Sequence, residues 1–137
     1  MTAPDKSPDR ISGMFDAIAP RYDLLNRVLS AGIDQRWRAA AIRSLRLTGR
    51  ETLLDVCVGT ADVALQARKA ASGQGAARVV GVDFSAAMLK LGNDKVRTAN
   101  ETSRITLTRG DAMRLPVASA SVDAVTVAFG IRNVQQP

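Results

Sequence analysis

Apolar residues recur along this chain in two different periods, and the change from one to the other falls near residue 50. Before it, apolar positions lie three and four apart, the spacing that collects side chains on one helix face. Ser7-Pro8-Asp9 reads as a helix start, with Ser7 as cap and Pro8 in the first turn, and Ile11, Met14, Phe15 and Ile18 follow as one stripe. Pro20 predicts the end of that helix and the opening of a second, where Tyr22, Leu25, Asn26 and Leu29 are neighbours. A turn at Gly32 leads into a third helix capped by Asp34. Its expected buried stripe is Trp37, Ala41 and Leu45, with Arg36, Arg38, Arg43 and Arg46 facing away or sideways. Residues 1–7 are polar and are expected to be disordered.

After residue 50 the apolar runs become short and continuous, as buried parallel strands require. Strands are predicted at 52–57, 78–83, 104–107 and 122–128, separated by a helix at about 61–71 and another that Ser85 caps, with Met88, Leu91 and Val96 inward. The spacings are too long for hairpins. They imply right-handed βαβ units and an α/β fold with a mostly parallel, doubly wound sheet.

In such a sheet a ligand lies beyond the carboxyl ends of the strands, where strand order reverses. Three candidates gather there: the Gly59-Thr60 turn after the first strand, Asp83 after the second, and Asp111-Ala112 after the third. Gly59 permits a sharp turn and lets a ligand approach the main chain, and the first N–H groups of the following helix face the same space. Asp83, 24 positions on, suits the two hydroxyls of a ribose; its alternative is a helix cap. Asp111 could accept from the amino group of a base while the Ala112 N–H donates to the ring; its alternative is a turn former beside Gly110. Asp55 is either structural or fixes the turn, and Cys57 reads as a small core residue rather than a nucleophile. The G-x-G-x-x-G fingerprint and the G-x-x-x-x-G-K-[ST] loop are both absent, which argues against an NAD enzyme or an NTPase.

Composition narrows the chemistry further. With 137 residues, 46% apolar and 23% charged, the chain is an ordinary globular one with material for one core. It has no histidine and a single cysteine, so a disulfide framework, a Cys/His zinc site and a histidine-based triad are excluded. No metal site is expected. Net charge is +6, concentrated in the first 50 residues, which predicts a basic face; acids are interspersed, so no nucleic-acid patch stands out. No apolar run reaches the length of a membrane span and no signal segment opens the chain, so a cytoplasmic protein is expected.

Six motifs together resemble a known family. Met14-Phe15-Asp16-x-Ile18-Ala19-x-x-Tyr22-Asp23-x-x-Asn26, Trp37-Arg38, Leu54-Asp55-Val56-Cys57-x-Gly59-Thr60-Ala61-Asp62, Gly81-x-Asp83-Phe84-Ser85-x-x-Met88-Leu89, Gly110-Asp111-Ala112-x-x-Leu115-Pro116 and Phe129-Gly130-x-Arg132-Asn133-Val134 are similar to those of the menaquinone/ubiquinone-biosynthesis C-methyltransferases. The resemblance implies the class I S-adenosylmethionine-dependent methyltransferase fold, with residues 1–50 as a helical lid and substrate region and 51–137 as a partial Rossmann-like cofactor domain. It implies C-methylation of demethylmenaquinol, or of a polyprenyl benzoquinol. Gly59, Thr60, Asp83, Asp111 and Ala112 would bind the cofactor, Arg132 would stabilise or generate the phenolate, and Asp16, Tyr22 and Asp23 would lie on the lid. The apolar N-terminal faces would cover the polyprenyl tail, with the basic side on anionic lipid at the inner face of the membrane.

Two departures bear on this. Ala128 stands where ubiquinone-type members carry serine, and Val58 replaces a smaller residue, so a tighter or displaced cofactor is expected. A full sheet of this class has seven strands against four here, which leaves a non-catalytic cofactor-binding fragment as an alternative. An RNA methyltransferase draws only on the positive charge. The fourth strand, rich in valine and without Lys or Pro, is expected to leave an open edge, with low solubility, self-association into homo-oligomers or a partly ordered C-terminal segment as the outcome when these residues stand alone.

Overall fold

The computed structural model describes residues 7–30, 33–69, 75–128, 130, 131 and 134. The polar N-terminus up to residue 6, the Gly32 turn, and Phe129, Arg132 and Asn133 of the last motif lie outside the described residues. Two helices, α1 (Pro8–Ser30) and α2 (Ile33–Ser44), precede β1 (Thr52–Val56), α3 (Asp62–Arg68), β2 (Arg78–Asp83), α4 (Ala86–Thr98), β3 (Ile105–Arg109) and β4 (Ala124–Val127). All strands are parallel, in the order β3-β2-β1-β4. The chain therefore steps outward from β1 through β2 to β3 and returns to the other side of β1, which makes the gap between β1 and β4 the point of reversal.

The predicted break at Pro20 does not occur: α1 runs through it. A proline inside a helix removes one backbone hydrogen bond and crowds the preceding turn, a cost of about 3 kcal/mol. Anchors on both sides tie the helix down across it. Ser12 and Asp16 reach the start of α4 before the proline, and Asp23 reaches Thr60 and Lys95 after it. In α2 the buried stripe is Asp34, Arg38 and Ile42. Ala41 is exposed, and Trp37 and Leu45 are half-buried. The expected stripe is thus rotated, because Arg38 is drawn inward by carboxylates on both sides.

Two apolar clusters hold the sheet. Leu53, Val79 and Ile105 face Ile42 of α2, Ala64 and Ala67 of α3, and Leu89 and Val96 of α4. On the other face Leu54, Val56 and Val82 are covered by Leu115, Val117 and Val122 from the segment between β3 and β4. Among the described residues, then, helices line one face and a loop the other. α4 starts as expected, with Ser85 Oγ accepting from the Met88 N–H, and its inner face is Met88, Leu89, Gly92 and Val96, with Leu91 half-buried.

Candidate active site at the carboxyl ends of the strands

The link from β1 to α3 is a tight turn with three left-handed residues: Cys57 (φ 58°), Gly59 (φ 56°) and Ala61 (φ 69°). Glycine takes this conformation freely, whereas a side-chain-bearing residue is strained by about 1–2 kcal/mol. The surroundings hold it. Val58 N–H donates to the Val82 carbonyl, Ala61 N–H to the Val58 carbonyl, and Gly59 N–H to Asp83 Oδ2 at 2.8 Å. A Cβ on Gly59 would touch nothing within 4 Å, so the turn faces open space. Val58 is buried in the core cluster while also forming part of the cavity wall.

That space is a cavity of about 350 Å³. Its floor is Asp55, Cys57, Gly59 and Thr60; Asp83, Phe84 and Met88 form one wall, Ala112 and Ala128 another, and Ile11, Met14, Phe15 and Tyr22 of α1 the roof. Phe15 and Tyr22 meet edge to face, with ring centroids 6.2 Å apart.

Its electrostatics come from two buried carboxyls. Asp55 is 1% exposed; Oδ1 accepts from the Thr126 hydroxyl at 2.9 Å, and Oδ2 has no partner. Burial raises its pKa to about 7, an effect the Thr126 bond opposes and the charge of Asp83 adds to. Asp83 is raised for the same reason, although its oxygens accept from the Ser85 and Gly59 N–H groups. Cys57 is pushed up to about 11 by burial and by both aspartates, which makes it a thiol and a poor nucleophile. Arg38, the cation among the described lining residues, is tied to Asp34 at 3.1 Å and Asp62 at 3.0 Å.

Of the residues singled out from the sequence, Gly59, Thr60, Asp83, Ala112 and Tyr22 line this one cavity. Asp111 does not. Its Oδ1 accepts from the Met113 N–H at 2.8 Å, so it shapes the turn that presents Ala112. Asp16 is likewise off the cavity, accepting from Ser85 Oγ at 2.5 Å and from the Ala87 N–H at 3.3 Å, where it reinforces the start of α4. Arg132 lies outside the described residues. Sequence reasoning left Asp55 undecided and gave no role to Lys95, or to Arg38 and Asp62 beyond their place in the motifs; a polar residue on a helix carries no periodic signal that tells an inward ion pair from a solvated face.

A solved Methanococcus maripaludis structure, classed as an S-adenosyl-L-methionine-dependent methyltransferase, superposes with a TM-score of 0.68 at 20% identity, over 96% of this chain and 55% of that one. The fold is that of the class I methyltransferases. Within that class, residues 3–137 match the model of the ubiE/COQ5 methyltransferase family, and the chain belongs to it. The ubiquinone/menaquinone biosynthesis C-methyltransferase UbiE of Geobacter sp. (strain M21) is 46% identical over 134 residues, 98% of this chain and 56% of the relative. A demethylmenaquinone methyltransferase of Lactiplantibacillus plantarum is 40% identical over 124 residues, 90% and 52% of the two chains. The chain thus spans about half the length of the curated relatives it matches.

Proposed function

We propose that this chain binds S-adenosylmethionine in the cavity above β1 and β2 and contributes to C-methylation of a polyprenyl quinol, with demethylmenaquinol as the acceptor. The observation that carries this reading is the unpartnered Asp55 Oδ2 beside Asp83, on a floor with no free cation among the described lining residues. A buried carboxyl oxygen without a donor calls for a cationic or N–H-bearing ligand. S-adenosylmethionine, with an ammonium and a sulfonium, has that chemistry. When bound it supplies an electrophilic methyl group. The chain's own part is to hold and align. Asp83 would accept from the ribose hydroxyls with lone pairs left over from its two N–H bonds, Phe84 and Ala112 would flank the base, and Asp55 would face the cationic end. Thr60 would hold the turn in place, Tyr22 and Phe15 would exclude water from the roof, and Arg132 would stabilise negative charge on the acceptor oxygen.

Calorimetry with S-adenosylhomocysteine tests the first half, and methyl transfer from labelled cofactor to a demethylated naphthoquinol, with a benzoquinol in parallel, tests the second. Arg132→Ala is expected to lower the transfer rate with cofactor affinity nearly unchanged. Equal losses would make Arg132 structural. Binding without turnover on either quinol would favour a non-catalytic cofactor-binding role for these 137 residues.

The membrane side of the reading has support on α1. Arg10, Met14, Ile18, Arg21 and Leu25 recur along one exposed face, with Leu24 beside them at 64% exposure, and Asp9 and Asp16 lie off that face. No described helix is long and apolar enough to cross a membrane. An apolar face with arginines suits the surface of an anionic bilayer. Leu24→Ser with Leu25→Ser is expected to abolish co-sedimentation with phosphatidylglycerol-containing vesicles.

A further inference from the structure

Behind the cavity wall lies a group of charges that the binding scheme does not use. Lys95, on α4, donates to Asp23 Oδ2 of α1 at 2.6 Å, to Thr60 Oγ1 of the turn at 3.0 Å and to Asp62 Oδ1 of α3 at 2.5 Å. These three acceptors come from three different elements and match the three N–H bonds of one ammonium. Thr60 Oγ1 donates its own proton to Asp23 Oδ1 at 2.6 Å, and Asp62 passes the chain of contacts on to Arg38, which also holds Asp34. Three carboxylates and two cations thus join α1, α2, α3, α4 and the β1–α3 turn. Thr60, Asp62 and Arg38 line the cavity, while Lys95 and Asp23 stand behind them.

We propose that Lys95 is a positioning residue that latches α1 to the β1–α3 turn, so that one ion-paired junction holds the roof of the cavity closed over its floor. Two consequences follow from the bonds. The only proton of the Thr60 hydroxyl is committed to Asp23 while the roof is closed, so this side chain serves the latch rather than donating to a ligand. Opening α1 strips Lys95 and Thr60 of a partner at once, which couples access to the cavity with the geometry of the turn beneath it. The partly exposed position of Lys95, Asp23 and Asp62, each near 30%, keeps the latch reversible: water can replace each bond as it breaks. Isolated pairs at such exposure contribute little; a three-way contact has the advantage that one side chain is ordered for three bonds.

The latch is tested on the ligand-free protein by amide hydrogen exchange, and on the complex by the dissociation rate of S-adenosylhomocysteine; the second measurement alone rests on the cofactor reading. In Lys95→Met the amides of α1 are expected to exchange at least tenfold faster, with those of β1 and β2 unchanged, and dissociation to accelerate by a similar factor. Lys95→Arg should recover most of both effects. Added salt should speed α1 exchange in the wild type and leave Lys95→Met unmoved. Arg97→Ala, which removes an exposed pair with Asp94 on the same helix, should change neither. Unchanged α1 exchange in Lys95→Met overturns the latch, and so does acceleration spread evenly through the sheet, which would make Lys95 a general stabilising residue. Absence of any ligand binding by the wild type counts against the cofactor reading, and the exchange data still decide the latch.

Discussion

Asp83 and Asp55 differ by one feature: Asp83 has backbone N–H partners on both oxygens, and Asp55 has a hydroxyl on one and nothing on the other. Asp83→Ala is expected to weaken S-adenosylhomocysteine binding by about 1.5–3 kcal/mol, the scale of hydrogen bonds to a charged group, read by calorimetry. Asp55 sets a pH dependence. Its folded pKa, about 7, lies above the ordinary value of 3.8, so the folded chain holds a proton that the unfolded chain has released. Stability from this group is complete below about 4 and falls as pH rises toward 7, by at most about 4 kcal/mol at 1.36 kcal/mol per pH unit. Asp83 acts in the same direction. Glu51, held down at about 2 by Thr48, acts in the opposite direction and mainly below this window. Thermal unfolding of the ligand-free protein should therefore show a midpoint that declines between pH 4 and 7, and Asp55→Asn should flatten the decline. Affinity for a cationic ligand should rise over the same window, because the ionised carboxyls attract it.

At the scale of elements, the site depends on how closely the β1–α3 turn rests on β2. A Cβ on Gly81 would lie 2.8 Å from Val58 Cγ2 and 2.7 Å from Leu107 Cδ2. Leu107 can rotate away; Val58 is β-branched and sits inside the turn, so it must move with the backbone. Gly81→Ala is expected to cost about 1–3 kcal/mol by overpacking, measured by denaturant unfolding, and to weaken ligand binding through the displaced turn. The strands and α4 were legible because burial on both faces and the Ser85 cap are local signals. The continuity of α1 was not, since the bonds that carry it across Pro20 join residues 69 and 72 positions apart. The stripe of α2 was misjudged for a related reason: pattern reading sends an arginine outward, and Arg38 is inward because Asp34 and Asp62 wait for it there.

For the molecule as a whole, β4 is the exposed place. It pairs with β1 on one side, no described strand lies on the other, and Val125 and Val127 are 54% and 41% exposed. β3, the opposite edge, carries Thr106, Thr108 and Arg109. An unpaired strand with exposed valines is a template for association. Light scattering of these 137 residues should show self-association, and Val125→Lys with Val127→Lys should reduce it.

The sequence by itself determined the parallel α/β sheet and the gathering of the Gly59 turn, Asp83 and Ala112 at the carboxyl ends of its strands, where they line one cavity, because each is written in local patterns: continuous apolar runs, a glycine at a strand end, a carboxylate at the next. Tertiary structure alone decided that Asp111 and Asp16 support turns and helix starts while Asp55 faces the cavity unpaired. It alone decided that Lys95 would gather α1, α3 and the turn. An aspartate has the same chemistry at every position in a sequence. Whether it meets an N–H, a lysine or an empty cavity depends on which distant segments the sheet brings beside it.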